Sequence, residues 1–174
     1  MTQKQIGDKI LERFIELKAT TGYQLDYDWV KNHFKRKLKF TEMHLISEAV
    51  DQLFEKAYIS FENNEEPMLV LTRQGFESIY KAEEDKSIKL LCREIMNRFK
   101  QQHLSPNQLV IFSWLEQSIA HDFNPREMEW LGAAVDNLIN KGYIERDEKH
   151  KSSLLLTYKG HDFINNIYSL KEAG

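Results

Sequence analysis

Residues 31–39 form a segment with a high density of positive charge. The segment reads Lys-Asn-His-Phe-Lys-Arg-Lys-Leu-Lys and contains no acidic residue. Four-residue spacing predicts that Lys31, Lys35 and Lys39 share one stripe of a helix. Such a stripe can neutralise phosphates, which supplies most sequence-independent affinity for duplex DNA. A solvated basic face and a surface for an acidic protein are the alternative interpretations. The cations are Lys31, Lys35, Arg36, Lys37 and Lys39.

The residue combinations of common catalytic and metal sites are missing from the sequence. It has no Gly-rich phosphate loop, no cysteine pair and no His-Glu-x-x-His. His121 and His161 each precede an aspartate, but neighbours in sequence do not face each other on a helix. We expect Cys92 to be a partly buried thiol of low reactivity. The sequence therefore predicts a protein that is not an enzyme and that uses no cofactor or metal.

The composition is that of an ordinary globular protein. The 174 residues are 41% hydrophobic and 29% charged, with a net charge of −3, so one domain or two small ones are expected. No run approaches the ~18 uncharged apolar residues of a membrane span, and the N-terminus lacks the apolar core of a secretion signal. A single cysteine forms no internal disulfide, so the cytoplasm is the expected location.

An internal repeat organises the chain. At an offset of 85 positions, residues 6–80 align with residues 91–165 without a gap and with 18 identities. Apolar positions and variable loops coincide too, which indicates one domain present twice rather than an array of short repeats.

The pattern of apolar and turn residues in each copy predicts three helices, a two-stranded hairpin and a fourth helix. Trp29 and Trp114 are expected to anchor the second helices in the core. The second of these helices is expected to begin at Ser105 with Pro106 in its first turn. The third helices are expected to begin at Thr41 and Asn124. The first helices have apolar stripes that include Ile6, Ile10 and Phe14, matched by Leu91, Ile95 and Phe99.

The hairpins and fourth helices are predicted from polar tips and capping residues. Thr72 and Thr157 are expected to cap the fourth helices. Gly75 and Gly160, in the first turns, would let another helix approach closely. The expected strands are 58–61 with 68–71, and 143–146 with 153–156.

One string recurs in both copies: Ala-Val-Asp-x-Leu-x-x-Lys-x-Tyr-Ile at 49–59 and 134–144, then a hairpin, then Leu-Thr-x-x-Gly. It closely resembles the second half of the winged helix-turn-helix domain in the MarR and PadR regulator families. The resemblance covers most of the chain and implies two tandem winged-helix domains, a mainly α fold with small β-hairpins (α+β). It also implies DNA binding, in which the third helix of such regulators enters the major groove.

The expected domains are residues 1–82 and 88–174, joined by residues 83–87. No glycine or proline lies between Gly75 and Pro106, which favours a stiff helical connection between the copies. A break near residues 85–87 is the alternative. With a stiff connection, one chain resembles a winged-helix homodimer whose modules reach neighbouring half-sites.

The exposed faces predicted for the third helices are mostly acidic. Phosphates repel such faces, so electrostatics opposes the use of these helices that the resemblance implies. Copy one presents His44, Glu48, Asp51 and Glu55. Copy two presents Glu129 and Asp136, with Arg126 as its one well-placed cation. Trp130, on the apolar face, is the expected residue at a domain interface.

The hairpin tips differ in charge. Glu62, Glu65 and Glu66 make the first tip acidic, whereas Arg146, Lys149 and Lys151 make the second basic. Residues 1–85 hold 12 basic and 16 acidic side chains, and residues 86–174 hold 12 and 11. The surfaces of the two copies have therefore diverged.

The leading hypothesis is a transcriptional regulator that binds duplex DNA, acting as a monomeric pseudo-dimer or as a homodimer. The alternative is an adaptor whose acidic third helices bind a protein. The expected DNA contacts are Lys31, Lys35, Arg36, Lys37, Lys39, His44, Arg126, Arg146, Lys149 and Lys151. The expected protein contacts are Glu48, Asp51, Glu55, Glu129, Trp130 and Asp136.

Overall fold

The structure, a computed structural model, describes residues 1–63 and 67–169. The fold is α+β, mainly helical with two antiparallel three-stranded sheets. The chain divides into two compact units, Met1–Lys81 and the residues from Ala82 onward. Among the described residues, no helix is long and apolar enough to cross a bilayer. Glu65 and Glu66, expected in the first hairpin tip, lie outside the described residues.

In the first unit, three α-helices precede the hairpin and one follows it. Its elements are α1 Gln3–Glu16, β1 Gln24–Asp26, α2 Tyr27–Lys35, a 3-10 turn Phe40–Glu42, α3 His44–Glu55, β2 Ile59–Asn63, β3 Pro67–Leu71 and α4 Arg73–Ile79. The elements of the second unit are α5 Glu84–Gln101, β4 Leu109–Ile111, α6 Phe112–Ile119, α7 Pro125–Met128, α8 Leu131–Asn140, β5 Ile144–Arg146, β6 Ser153–Leu156 and α9 Tyr158–Ser169.

The apolar stripes of the first helices lie in the two cores, as predicted. Ile10 and Phe14 of α1 are fully buried, as are Ile95 and Phe99 of α5. Thr2 caps α1, because its hydroxyl accepts a hydrogen bond from the Gln5 amide at 3.3 Å and the Gln5 side chain bonds back to Thr2. The repeating apolar pattern therefore decides which face of each helix is buried.

Each sheet has a third strand that the sequence analysis missed. The strand orders are β1-β3-β2 and β4-β6-β5. The predicted helix start at Ser105 is wrong. The backbone of Asn107 lies in the left-handed region (φ +64°), and its N–H donates a hydrogen bond to Leu156 O at 2.7 Å. The chain therefore joins the sheet before α6 begins. Gln108 does bond back to the Ser105 amide at 3.0 Å, but it closes a turn rather than a helix.

The repeat is visible in the backbone. Gln24 pairs with Val70 in the first sheet, and Leu109 pairs with Leu155 in the second, at the same offset of 85. The left-handed positions recur at this offset too, although glycine occupies only some of them. They are Lys18 and His103, Gly22 and Asn107, and Ala57 and Gly142.

The third helices are shorter than predicted. The predicted cap Thr41 lies inside the 3-10 turn, where the Lys39 amide donates to Glu42 Oε2 at 3.0 Å instead. Asn124 does cap a helix, and Glu127 closes its capping box, but this helix is α7 and ends before α8 begins. Residues 125–130 are therefore not part of the long third helix.

The threonine caps are confirmed, and the role predicted for the glycines is wrong. Thr72 Oγ1 accepts from the Gly75 amide at 3.0 Å, and Thr157 Oγ1 accepts from the Gly160 amide at 2.9 Å. A Cβ on Gly75 would lie 1.9 Å from the backbone carbonyl oxygen of Tyr58, and one on Gly160 would lie 2.0 Å from that of Tyr143. The lack of a side chain at these glycines therefore makes room for the backbone of the residue that precedes each hairpin, and not for another helix.

The predicted continuous helix between the copies is also wrong. The last helical residue of α4 is Ile79, and α5 begins at Glu84, so only the later part of the expected linker is helical. Tyr80 is buried, adopts an extended backbone (φ −110°, ψ 90°) and donates its hydroxyl to Phe14 O at 3.3 Å. Burial of this ring against α1 requires the chain to leave the helix there.

Candidate nucleic-acid interface

The basic segment covers the end of α2 and the connection to α3. Lys31 and Lys35 lie on α2, Arg36 follows its last residue, and Lys37 and Lys39 lie in the connection. All five cations are exposed. The predicted stripe is wrong for Lys39, because α2 ends four residues earlier. The amides of Lys37 and Leu38 both bond to Phe34 O, which turns the chain so that Leu38 is buried.

Two of these cations, Lys31 and Lys37, have close partners in the structure. The ammonium of Lys31 forms an ion pair with Asp28 and lies 5.1 Å from the ring centroid of Tyr27. The hydrogen bond that Lys31 donates to Asp28 raises the pKa of Lys31. Lys37 Nζ lies 2.9 Å from His33 Nε2. Partial burial, and then the charge of Lys37, lower the pKa of His33.

A shallow concavity of about 810 Å³ lies beside the end of α2. Its lining includes Trp29, which stacks on His33 with ring centroids 4.8 Å apart. The guanidinium of Arg13 lies 5.0 Å from the Trp29 ring, and the indole packs partly buried against the core. Lys35 and Arg36 line the rim, so the concavity is positively charged.

The exposed face of α3 carries the predicted acidic residues. Glu48, Asp51 and Glu55 are all exposed, and His44 lies 4.0 Å from Glu48 Oε1. Two phenylalanines are exposed near them: Phe40, in the 3-10 turn, at 94%, and Phe54, on α3, at 55%. The face is therefore acidic with apolar patches, which suits a protein surface better than a phosphate backbone.

The predicted site residues of the second unit between positions 126 and 136 lie on α7, on α8 and in the connection between them. Arg126 lies on α7 with its guanidinium 5.6 Å from the Trp130 ring, and both side chains are partly buried. Arg126 is thus not on the exposed face of the third helix, where it was predicted. Glu129 follows α7 and is exposed, and Asp136 lies on α8. Trp130 packs against the core of this unit.

The second hairpin combines a paired arginine with an ordered tip. Arg146 Nη2 lies 2.9 Å from Asp136 Oδ1, so this cation is neutralised locally. Asp147 accepts hydrogen bonds from His150 Nδ1 at 2.5 Å and from the Lys149 amide at 3.3 Å. The bond from His150 lowers the pKa of Asp147. Lys149 and Lys151 are exposed at the tip.

The structure also exposes an apolar strand edge in the second unit. Leu109 and Ile111 of β4 are 43% and 53% exposed, and Trp114 is 37% exposed, so the prediction that Trp114 anchors the core is wrong. The first unit has Gln24 and Asp26 at the two equivalent strand positions. A comparison of the two copies at the offset of 85 would have found this difference, had the strand been recognised.

A metal site is not formed by the described residues, which bring together no three His, Cys, Asp or Glu side chains able to hold an ion. The sequence matches no protein family and no curated protein at a significant level.

Proposed function

We propose that the chain is a tandem winged-helix protein that binds duplex DNA, with its main phosphate contacts on the first unit. The observation that carries this proposal is the exposure of five cations between residues 31 and 39 with no acidic residue among them. The order of helices and hairpin, repeated in both units, supports the winged-helix assignment. The single cysteine forms no internal disulfide, so the cytoplasm is the expected location.

The position of the cations suits contact with the DNA backbone. In helix-turn-helix proteins, the helix before the recognition helix crosses the phosphate backbone. α2 holds this place in the first unit, and Lys35, Arg36 and Lys39 continue from it into the connection. Lys149 and Lys151, on the second hairpin, supply a further contact. These residues bind phosphate and carry little sequence information, so weak sequence preference is expected.

The acidic face of α3 makes base reading by this helix unfavourable. Glu48, Asp51 and Glu55 would approach phosphates on both sides of a major groove. Affinity from the basic segment must therefore exceed this repulsion, and binding is expected to be strong only at low salt.

A salt titration tests the proposal. Anisotropy of a labelled duplex is measured with the full chain at about 50 and 200 mM salt. With three or four phosphates neutralised, the affinity is expected to fall roughly 100-fold over this range. The double variant Lys35→Glu, Arg36→Glu is expected to weaken binding at least about tenfold at the lower salt.

A matched control separates local contact from overall charge. Lys4→Glu with Lys86→Glu changes the net charge equally at exposed helical positions outside the basic segment. It is expected to have a much smaller effect. Equal effects of the two double variants, or no binding at about 50 mM salt, would refute the proposed contact.

The alternative function is a protein-binding adaptor, which the acidic face of α3 and the exposed Phe54 favour. Glu48→Gln with Glu55→Gln distinguishes the two functions. If α3 approaches DNA, loss of the two charges strengthens DNA binding. If α3 instead binds a basic protein surface and the chain makes no direct DNA contact, neither the unaltered chain nor this variant binds the duplex at about 50 mM salt.

A further inference from the structure

Residues 101–115 contain no aspartate, glutamate, lysine or arginine, and no other uncharged run of the chain is as long. This neutral segment begins at the last residue of α5, includes β4 and ends within α6. The equivalent residues of the first copy, 16–30, include Glu16, Lys18, Asp26 and Asp28. The loss of charge is therefore specific to the second copy.

β4 is an edge strand, since the strand order is β4-β6-β5. The N–H of Phe112, which follows β4, donates to Ser152 O at 2.8 Å. Hydrogen-bonded positions alternate along an antiparallel pair, so Val110 also faces β6. The N–H groups of Leu109 and Ile111 and the Leu109 carbonyl therefore point away from the sheet. Such groups are a template for a further strand.

The edge strand differs between the two copies. Natural sheets protect exposed edges with charged side chains, among other devices. In the first copy, Asp26 lies on the edge strand, and Gln24 Nε2 donates to Glu62 Oε2 at 2.7 Å. At the two equivalent positions the second copy has Leu109 and Ile111, both exposed. The backbone of the edge is repeated, but its polar protection is not.

An open cavity of about 260 Å³ lies beside this edge. The buried centres of protein interfaces are depleted in charged residues and enriched in aromatic ones, and homodimer interfaces are more apolar than others. The composition of the cavity therefore fits a protein contact. Apart from Gln102, its described lining residues are apolar: Leu104, Leu109, Val110, Ile111 and Trp114.

The absence of charge favours a second copy of this chain as the partner. Two identical surfaces with like charges repel each other, and residues 101–115 contribute no such charge. A partner with a charged surface would gain no ion pair from this segment. In a twofold-symmetric contact, if residue i meets residue j, then j meets i. Two antiparallel β4 strands satisfy this condition when Leu109 of each chain lies opposite Ile111 of the other.

We propose that two copies of this chain form a dimer through their β4 strands, which joins their three-stranded sheets into one continuous sheet. Ile111 N–H of each chain donates to Leu109 O of the other, and the side chains of these two residues pack together on one face. Trp114 lies beside this contact, at the open cavity. The dimer does not depend on DNA binding.

Sedimentation of the full chain tests the dimer. Because few residues take part, the contact belongs to the small and weak class of interfaces, and its dissociation constant is expected to be roughly 1–100 μM. The weight-average mass is therefore expected to rise from that of a monomer toward that of a dimer over this range. A chain that is still monomeric at about 500 μM would overturn the proposal and leave the edge for an extended segment of a different protein.

A lysine on the edge strand tests the surface. Leu109→Lys is expected to weaken dimerisation at least about tenfold, because it places two ammonium groups close together across the twofold axis. Gln24→Lys, at the equivalent position of the first copy, is the matched control and is expected to leave the dimer intact. Both side chains are exposed, so both variants are expected to remain folded, which circular dichroism checks. A dimer that Leu109→Lys leaves unchanged would place the contact elsewhere and refute the assignment.

Cross-linking tests the register. Cys92→Ser removes the natural thiol, and Leu109→Cys and Ile111→Cys are then prepared as separate proteins. Opposite positions have Cα atoms about 5.5 Å apart, within reach of a disulfide, whereas diagonal positions lie about 7–8 Å apart. Mild oxidation is therefore expected to cross-link a mixture of the two proteins at least about threefold faster than either protein alone. A mixture of Gln24→Cys and Asp26→Cys is the control and is expected to show no such excess. No excess with Leu109→Cys and Ile111→Cys would overturn the antiparallel pairing.

Discussion

Arg146 on the second hairpin forms an ion pair with Asp136 on α8, with Nη2 and Oδ1 2.9 Å apart. The sequence predicts that Arg146 contacts DNA and that Asp136 contacts a protein. In the structure they belong to one exposed patch, where each neutralises the other. The availability of this cation therefore depends on the aspartate.

Release of Arg146 is expected to strengthen DNA binding. Asp136→Asn removes a negative charge and frees the guanidinium, so affinity for duplex DNA at low salt is expected to rise about fivefold. Asp162→Asn is the matched control, because Asp162 is an exposed aspartate on α9 of the same unit and belongs to none of the proposed DNA contacts. This control is expected to gain no more than about twofold. Stability is expected to change by less than about 1 kcal/mol, since the pair is exposed. Equal gains from the two variants would contradict a role for Arg146.

Alanine at the glycines of the fourth helices is expected to be strongly destabilising. Gly75→Ala and Gly160→Ala each place a Cβ about 2 Å from a backbone carbonyl oxygen. That carbonyl also accepts from the capping threonine, so it cannot move without loss of the cap. The free energy of unfolding, measured by chemical denaturation, is expected to fall by about 3 kcal/mol or more. Gly132→Ala is the control, because nothing lies within 4 Å of its Cβ and alanine favours a helix, which gains about 0.5–1 kcal/mol. A Gly160→Ala variant as stable as the natural sequence would show that the hairpin does not approach this closely.

The hydroxyl of Thr157 is expected to stabilise the second unit. It accepts from Gly160 N and donates toward the carbonyl oxygens of Gly142 and Tyr143, at 2.7 and 3.0 Å. Thr157→Val keeps the shape and removes these bonds, at an expected cost of about 1–2 kcal/mol. Thr157→Ser retains the hydroxyl and is expected to cost less than half as much. If valine and serine cost the same, methyl packing rather than the cap accounts for the threonine.

The pKa of His33 is expected to lie below the ordinary histidine value of 6.5, because partial burial and Lys37 disfavour the charged ring. The unfolded chain then binds more protons than the folded one between the two pKa values. The contribution of His33 to the free energy of unfolding is therefore fully present above about pH 6.5. It is lost as the pH falls from that value to the lower pKa of the folded protein. An NMR titration of the imidazole measures the pKa directly. Lys37→Gln is expected to raise it, whereas Lys56→Gln, on the far end of α3, is expected to leave it unchanged. A His33 pKa above 6.5 in the unaltered protein would contradict the structure around this ring.

Local patterns were enough to predict much of the fold. The hairpins, the threonine caps and the buried faces of the first helices all depend on residues within a few positions of one another. The failures occurred where the decisive partner lies far along the chain. β4 exists because Leu109 and its neighbours pair with β6, and α4 ends because Tyr80 packs against Phe14.

The candidate site shows the same division. The exposure of Lys35, Arg36 and Lys39 followed from charge and spacing, although the end of α2 did not. The ion pair between Arg146 and Asp136 could not be predicted from the sequence, because it depends on how the hairpin packs against α8.

The sequence by itself determined the duplication, the α+β composition and the surface charge of each copy, because these follow from residue type and short-range periodicity. The tertiary structure alone decided which charges are paired, which strand edge is exposed and where a cavity remains. These features depend on the packing of segments distant in sequence, as in the ion pair between Arg146 on the hairpin and Asp136 on α8.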